Sequence, residues 1–407
     1  MRTMNQRGSL YILSLGVVVL LTVASASLLV RGISETNGSE RVRNQAIAFQ
    51  LADAGVDQAA LNLRTPLDSA DDVTQKVLLG GQFTIDPPAN APSGSATWQV
   101  TTHGASTADS ANPRHIEATF QLVPESVFQF ALFGDQQVNL GGNAISDSYD
   151  SRNGPYDSST NHGHEGDVGT NAKTAGGIPV GASIFIDGQV AVGPNVADPA
   201  SVVTGCTPTP SCFAPFITGG TDPPSNTQDI VSQDASFPLP DVSPPAGLSC
   251  SDYTITGGTQ LTLSPTGGPL GNGTYCYRNL TVQGNAQLTA TGSVKVYLTG
   301  ELIARGNSTI GVPSDPRAMT ILMTPSSEAT LEEGTLTGST EFYGALYGPK
   351  ASLTISGNAE IYGSIIAKKI DVTGSAAIHY DQAMTDLTDV SNLYRTSLVS
   401  WRERTDL

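Results

Sequence analysis

An uncharged, largely apolar run from Leu10 to Val30 opens the chain and constrains its fold more than any other feature. As a helix, this run is long enough to cross a hydrocarbon layer about 30 Å thick. The next strong helix breaker is Pro66, so the sequence predicts one continuous helix over residues 9–63. Such a helix is roughly 80 Å long at 1.5 Å per residue. A membrane-anchored rod of this length is typical of an assembly device rather than of a catalytic domain.

The second half of the predicted helix carries two apolar stripes. Residues spaced by four and three form the first stripe, which one acid interrupts: Val42, Ala46, Phe49, Asp53, Val56, Ala60 and Leu63. The second stripe lies beside it and contains Ile47, Leu51, Ala54 and Leu61. A helix that is apolar over so wide a face needs a partner. That partner is either the body of the same protein or similar helices in a filament, and the width of the face favours the filament.

Two segments give this helix a family resemblance. Arg7-Gly8-Ser9-Leu10 precedes the apolar run, and Ala48-Phe49-Gln50-Leu51-Ala52-Asp53-Ala54-Gly55-Val56-Asp57-Gln58-Ala59 follows it. Together they resemble the PilX-type N-terminal segment of minor type IV pilins, although both acids are Asp where that family usually has Glu. Major pilins carry Glu at the fifth position after the cleaved Gly, and Leu13 stands there in this chain. The resemblance therefore indicates a minor subunit rather than a major one.

The resemblance also implies how the segment is processed and used. A leader over residues 1–8 would be cut between Gly8 and Ser9 by a prepilin peptidase, leaving a transmembrane and assembly helix over 9–65. The helix would contact other pilins or pseudopilins, with the motif residues Phe49, Asp53, Gly55, Val56 and Asp57 as its assembly positions.

A different cleavage would give a different location. Ala24-Ser25-Ala26 before Ser27 also fits a signal-peptidase site, which would release a soluble exported protein. The apolar run continues past that site, which favours retention in the membrane. Arg2 and Arg7 precede the run and favour a cytoplasmic N-terminus. The sequence thus predicts a single-pass inner-membrane protein whose C-terminal part is periplasmic and is later presented on a pilus or at the cell surface.

Composition agrees with an exported β-rich body. The chain has 407 residues with 43 Gly, 25 Pro and only 14% charged residues, a profile that suits many short strands joined by turns. Its net charge of −17 argues against nucleic acid and anionic membrane surfaces as partners.

Four cysteines lie in the part predicted to be exported, and an even number there suggests two disulfides. Three pairings are possible, of which Cys206–Cys212 and Cys250–Cys276 are favoured. No Cys-x-x-Cys pair exists, which argues against a zinc site built from cysteines.

Alternating apolar residues predict a small β subdomain over 66–123. Runs at 81–85, 96–100 and 115–123 have the period of half-buried strands and predict a small antiparallel sheet. In pilins, which the helix resembles, such a sheet joins the head to the helix.

The body of the chain contains an internal repeat. Leu280–Leu288 recurs as Leu353–Ile361, and looser copies start at Val138, Ile184, Leu302 and Ile370. Short strands separated by Gly-Asn turns at such spacings predict a right-handed parallel β-helix over 124–385, with a disulfide-pinned insertion over 195–250. The third residue of each copy should point inward, namely Val282, Ala304, Ile355 and Val372. An antiparallel sandwich is the alternative, because Gly-Asn also makes hairpins.

The C-terminal segment has apolar residues at helical spacing. Leu387, Val390, Tyr394, Leu398 and Trp401 fall on one helical face. Because the end of a solenoid exposes unpaired strand edges, the sequence predicts a capping helix over 386–407. The fold class is therefore mainly β with a long N-terminal α-helix.

Candidate chemistry is sparse. His162, His164 and Asp167 offer ligands for a transition metal, and the acid-rich segment 147–157 offers oxygens for calcium without matching the EF-hand spacing. The competing interpretation of both is a polar, Gly-rich turn, and no metal or cofactor is predicted. Paired carboxylates at matching positions of the repeat are not evident, and no catalytic residue is assigned.

The predicted function is therefore structural and non-enzymatic: a minor pilin-like component of a type IV pilus or pseudopilus, or a factor in its assembly. The main alternative is an adhesin that binds a surface glycan or protein. Exposed tyrosines would favour the adhesin, the candidates being Tyr149, Tyr156, Tyr343, Tyr347 and Tyr362. A polysaccharide-degrading β-helix enzyme is a minor alternative, since such enzymes need paired carboxylates on one face.

Overall fold

The protein is mainly β with one long N-terminal helix in a computed structural model. The structure describes residues 6–64, 72–86, 97–181, 183–205, 217, 230–324, 333–388, 390 and 393–404. The chain forms two compact units. Of the described residues, the first unit contains 6–64, 72–123 and 396–404, and the second contains the described part of 124–395.

The helix α1 spans Gln6–Asn62. The strands, in chain order, are β1 Gln75–Leu78, β2 Gly81–Ile85, β3 Thr97–Ser106, β4 Asp109–Glu125, β5 Leu132–Leu140, β6 Ile145–Tyr149, β7 Val168–Thr170, β8 Ile178–Pro179, β9 Phe185–Ile186, β10 Val190–Val192, β11 Val203–Thr204, β12 Ile230–Ser232, β13 Ser251–Thr256, β14 Gln260–Leu263, β15 Thr274–Gly284, β16 Gln287–Ala290, β17 Val294–Leu298, β18 Leu302–Gly306, β19 Thr309–Gly311, β20 Met319–Met323, β21 Glu333–Gly338, β22 Glu341–Ile355, β23 Glu360–Val372, β24 Ala377–Asp381 and β25 Leu393–Arg404. Short 3-10 helices lie at Ser151–Asn153, Pro199–Val202, Pro316–Ala318 and Gln382–Asp386.

The first unit pairs the helix with a five-stranded sheet in the order β1-β2-β3-β4-β25. The pairs β1–β2, β2–β3 and β3–β4 are antiparallel. The sequence analysis placed strands at 81–85, 96–100 and 115–123, and the structure confirms all three and their antiparallel pairing. Their alternating burial puts Phe83, Ile116 and Phe120 in the interior.

The helix packs on this sheet through a face of small residues. Ala48, Ala52 and Ala59 are buried there together with Leu51, Val56 and Leu63. The approach is close at Gly104, where an added Cβ would lie 2.0 Å from the carbonyl oxygen of Ala48. The Thr102 hydroxyl donates a hydrogen bond to the carbonyl oxygen of Ala52 at 2.7 Å. The sheet of the same protein therefore covers this part of the helix.

This packing corrects the predicted stripes. The buried face runs between the two stripes, so Val42, at the start of the first stripe, is 67% exposed, whereas Val56 and Leu63 are buried. The protein's own strands cover Val56, because small residues at positions 48, 52, 55 and 59 let them approach the helix backbone. Contact of this helix with similar helices stays a prediction.

Residues Leu393–Arg404 form a strand and not the capping helix that was predicted over 386–407. Among the described residues from 377 onward, helical backbone is confined to the short turn Gln382–Asp386, and β25 joins the edge of β4. Ion pairs join the two strands, from Arg402 to Glu117 at 2.6 Å and from Arg114 to Glu403 at 2.8 Å. The helical spacing of apolar residues was misleading, because an available strand edge and these cross-strand charges favour extended backbone over local propensity.

The second unit is a stack of parallel strands, with its strands arranged in three columns. The first column contains residues 253–256, 280–284, 302–306, 334–338, 353–355, 370–372 and 138–140. The second contains 260–263, 287–290, 309–311, 341–343, 360–362, 377–381, 145–149 and 185–186. The third contains 274–277, 294–298, 319–323, 345–347, 365–367, 132–134, 168–170, 190–192 and 230–232.

The stack does not follow the order of the chain. Strands β5 and β6 pair with β23 and β24, so residues 132–149 lie directly beyond residues 360–381. Strands β12 and β13 are adjacent in sequence, but β12 pairs with β10 and β13 pairs with β15, so these pairings lie at opposite ends of the columns. The segment between β12 and β13 contacts the stack. The Tyr347 hydroxyl donates a hydrogen bond of 2.6 Å to the carbonyl oxygen of Pro240 in this segment.

The repeat found in the sequence marks the first column. Leu280, Leu302, Leu353, Ile370 and Val138 all fall there, with Gly334 as the single unpredicted member between Leu302 and Leu353. The predicted inward positions Val282, Ala304, Ile355 and Val372 are buried, which confirms the register. The copy starting at Ile184 is displaced, since it leads into the second column.

The segment 195–250 is not wholly the predicted insertion. Strand β11 pairs with β8, Ile217 bridges to Ile186, and β12 pairs with β10, so parts of the segment continue the stack. The apolar residues Val203, Ile217 and Ile230 are buried there, and surrounding prolines obscured them in the sequence. Cys206 and Cys212 lie outside the described residues.

Cys250 and Cys276 form a disulfide with Cα atoms 4.8 Å apart, closing a loop with a sequence separation of 26 residues. We expect the double variant Cys250→Ala/Cys276→Ala to lose about 3 kcal/mol of stability, because the link restricts the unfolded chain. Urea unfolding of the full chain in detergent measures this loss. Equal midpoints for variant and wild type would contradict it.

Candidate functional site

The N-terminal part of α1, residues 15–41, is one candidate functional surface. It is called the upper part of the helix, and the part that packs on the sheet is called the lower part. The described side chains between positions 15 and 41 are exposed, and they include Leu20, Leu28 and Val30 at more than half of their full accessibility. Among the described residues, α1 is the helix that is long and apolar enough to cross a membrane. Gly8 and Ser9, the predicted processing site, lie near its start.

The predicted assembly residues divide into two groups. Asp53 and Asp57 are exposed. Gly55 and Val56 are buried against the sheet, and an added Cβ at Gly55 would lie 3.0 Å from the Thr102 Cβ. The ring of Phe49 meets Trp401 edge to face at 5.6 Å.

A second candidate surface is a column of polar and aromatic side chains on the parallel stack. In the second column Tyr343 pairs with Tyr362, Tyr362 with His379, and His379 with Asp147. Asp187 follows Ile186, the residue paired with Ser146. The first four occupy paired positions, and Asp187 takes the next position after β9, where its backbone N–H donates a hydrogen bond of 2.7 Å to the carbonyl oxygen of Ser146. The backbone register therefore brings the five side chains together.

Two histidines from a neighbouring loop complete this cluster. Gly163 bridges to Ser148, with hydrogen bonds of 2.7 and 3.2 Å between their backbones. His162 and His164 flank Gly163, and residues two apart in extended chain point the same way. The His164 Nδ1 lies 2.7 Å from the Asp187 Oδ2, while the His162 Nε2 lies 3.6 Å from that oxygen and 3.5 Å from the Asp147 Oδ2.

The Asp147 carboxylate also contacts two residues other than His162 and His164. The Asp147 Oδ1 lies 2.6 Å from the His379 Nδ1, and its Oδ2 accepts a hydrogen bond of 2.8 Å from the Tyr156 hydroxyl. Burial, followed by this hydrogen bond, raises the pKa of Tyr156, so the phenol remains a donor near neutral pH. The aspartate side chains are nearly inaccessible, whereas those of His162 and His164 are 28% and 46% exposed.

Asp167 is not part of the cluster, although the sequence analysis grouped it with the two histidines. Its Oδ1 accepts a hydrogen bond of 2.7 Å from the backbone N–H of Gln189, and burial raises its pKa. Asp187 takes the place predicted for Asp167, because strand pairing rather than sequence proximity delivers the carboxylate.

The segment 147–157 uses its oxygens internally. Asp150 accepts hydrogen bonds from the backbone N–H of Arg152 at 3.0 Å and from its guanidinium at 2.8 Å, and this pairing lowers the pKa of Asp150. Asp157 accepts from the backbone N–H groups of Ser159 and Thr160. These contacts match the polar-turn interpretation better than a calcium loop.

The tyrosines do not form an open sugar-stacking surface. Tyr149 and Tyr347 are buried. Tyr343 stacks on Tyr362 with ring centres 4.6 Å apart and planes 5° apart, and His379 continues the stack at 4.9 Å. Ring faces that cover each other are not available to a sugar, so this column gives the adhesin alternative little support.

Paired carboxylates, which the sequence analysis did not find, exist in Asp147 and Asp187. Sequence reasoning also missed His379. A signal was present in three short segments, 145–147, 185–187 and 377–379. Each begins with an apolar residue and ends with one of these Asp or His residues, at the position that corresponds to Tyr343 and Tyr362. The three segments can be aligned only when it is known that β24, β6 and β9 are neighbours, although they are distant in sequence.

A family model for a domain of unknown function, DUF7305, matches residues 245–387. No curated protein matches the chain. Among solved structures, the competence-associated pilin ComZ from Thermus thermophilus is similar over 89% of this chain and 97% of that chain, at 12% identity and a TM-score of 0.24. The ice-binding protein_1 DUF3494 domain of Shewanella frigidimarina is similar over 64% of this chain and 99% of that chain, at 13% identity and a TM-score of 0.27. TM-scores this low support no conclusion about fold or function.

Proposed function

We propose that this protein is a non-enzymatic, minor pilin-like component of a type IV pilus or pseudopilus, or a factor in its assembly. The upper part of α1 would be anchored in the inner membrane before assembly, with the remainder of the chain in the periplasm. Other pilins or pseudopilins would be its partners. The parallel stack would be a right-handed parallel β-helix that forms the exported head.

One observation carries the proposal. The helix α1 has two differently packed parts. An antiparallel sheet of the same protein covers one face over residues 48–63, whereas the described side chains over residues 15–41 are exposed. An exposed apolar surface of this extent needs lipid or protein to cover it. A helix that passes from a membrane into a filament would satisfy that need in both places, and the PilX-like motif lies on the same helix.

The non-enzymatic part of the proposal has its own support. Asp147 and Asp187 are nearly inaccessible and are engaged by histidines and Tyr156. Catalytic carboxylates must reach substrate from an open face.

N-terminal sequencing of the mature protein tests the processing step. We expect the mature chain to begin at Ser9, because the membrane helix must be kept for assembly. A start at Ser27 would replace the proposal with ordinary secretion.

Filament incorporation tests the exposed part of the helix. We expect Val42→Lys to leave the protein folded but absent from sheared surface filaments, since an unpaired charge on a buried contact costs several kcal/mol. Val77→Lys is the matched control, because Val77 is 72% exposed on strand β1 and should enter filaments normally. Immunoblots of sheared filaments and whole cells measure both. Normal incorporation of Val42→Lys would remove this helix surface from the assembly role.

A further inference from the structure

We infer that His162, His164, Asp187 and Asp147 form a binding site for a divalent transition-metal ion of the Zn²⁺ class. The ligand atoms offered by His162, His164 and Asp187 all lie within 4.8 Å of one another. The inference is independent of the proposed pilus function, because it rests on the second unit alone.

The distances from His162 to the two carboxylates are close to those of a tetrahedral site. Zinc–nitrogen and zinc–oxygen bonds of 2.0–2.1 Å put neighbouring ligands about 3.3 Å apart. The His162 Nε2 already lies 3.5 and 3.6 Å from the two carboxylate oxygens. The hydrogen bond of 2.7 Å between His164 and Asp187 needs to lengthen by about 0.6 Å to reach this spacing, which a rotation of the half-exposed imidazole provides.

The backbone holds these ligands in place before any ion arrives. Asp147 and Asp187 come from adjacent strands of the second column, and the Gly163–Ser148 bridge fixes the two histidines. The strands approach closely because glycine stands between them: an added Cβ at Gly166 would lie 2.6 Å from the Asp147 Cα, and one at Gly163 would lie 2.7 Å from the Ser148 Oγ. Binding would therefore require little ordering of the chain.

An outer layer of polar groups supports the ligands. His379 contacts the Asp147 Oδ1, which leaves the Oδ2 directed toward His162. Tyr156 lies against His379 with ring centres 3.8 Å apart and planes tilted by 31°, and its hydroxyl donates a hydrogen bond to the same carboxylate. Hydrogen-bonded partners of this kind orient metal ligands and tune their affinity. His379 and Tyr156 are thus positioning residues.

The ligand types select the ion. Two imidazoles with two carboxylates suit Zn²⁺, Cu²⁺, Ni²⁺ or Co²⁺, whereas Ca²⁺ requires six to eight oxygen ligands. The exposed edges of His162 and His164 give an ion access from solvent.

The test is calorimetric titration of Zn²⁺ into the full chain in detergent, carrying no polyhistidine tag and stripped of metal by a chelator. We expect one ion per chain. His162→Ala and Asp187→Asn should each weaken binding by about 100-fold or more, and His379→Phe by about 10-fold, since outer partners typically contribute this much. Co²⁺ in place of Zn²⁺ should give the intense visible absorption of tetrahedral coordination.

Asp167→Asn is the matched control, because it makes the same change at the carboxylate that lies near the histidines in sequence but outside the cluster. It should bind Zn²⁺ like the wild type. His162 and His164 are exposed enough to be replaced without disturbing the core, and circular dichroism of each metal-free variant checks the fold. Failure of the wild type to bind Zn²⁺, or equal losses in Asp167→Asn and Asp187→Asn, would overturn the inference.

Discussion

Val282→Asp should unfold the second unit, whereas Thr281→Asp, one residue away, should leave it folded. Val282 is fully buried between Ile255 and Ala304 in the first column, and Asp there would lose apolar contacts and bury an unpaired charge. We expect a loss of at least about 5 kcal/mol. Thr281 lies on the outer face between Thr254 and Ile303, where we expect a change below about 0.5 kcal/mol.

Thermal unfolding of the full chain in detergent, followed by circular dichroism, measures both variants. The pair Ile355→Asp and Thr354→Asp repeats the comparison further along the stack. Asp371 stands opposite Thr354, so that outward variant should lose a few tenths of a kcal/mol through like-charge repulsion. If inward and outward variants are equally damaging, the assigned register does not describe the folded protein.

Gly104→Ala should separate the helix from its sheet. The new Cβ would lie 2.0 Å from the carbonyl oxygen of Ala48 and 2.3 Å from the backbone nitrogen of Ala52. Because both obstacles are backbone, no side-chain rotation relieves them, and the helix must move away. We expect the first unit to lose about 3 kcal/mol.

Gly38→Ala is the matched control for this change. Nothing lies within 4 Å of a Cβ at Gly38, which is in an exposed stretch of the same helix. The same substitution there should stabilise the helix by up to about 1 kcal/mol. Limited proteolysis and urea unfolding distinguish the two, and a harmless Gly104→Ala would refute the close approach.

The sequence predicts those parts of the fold in which the same residue pattern is repeated or continues without interruption. The first column was visible because Leu280, Leu302, Leu353 and Ile370 are equivalent positions with similar neighbours. The helix was visible because nothing interrupts its apolar run. The burial of its lower face was not, because small residues such as Ala52 and Gly55 carry little hydrophobic signal and matter only where another backbone comes near.

The remaining errors arise from contacts distant in sequence. The spacing of Tyr394, Leu398 and Trp401 satisfies a helix, and only the presence of the β4 edge makes the segment a strand. Asp167 is near His164 in the chain, but Asp187 reaches it through strand pairing. Neither partner is identifiable without knowing which strands are neighbours.

Because strands distant in sequence pair with each other, the second unit can be completed only late in the synthesis of the chain. Strand β5 emerges early, but the strand that covers one of its edges, β23, comes much later: Asn139 and Asp371, which meet across that boundary, are 232 residues apart. Until β23 arrives, β5 presents open backbone groups that can pair with another chain. Closing so long a loop is also slow. The early strands can therefore complete their pairing only when the residues up to Asp381 are available, and until then they need protection from neighbouring chains.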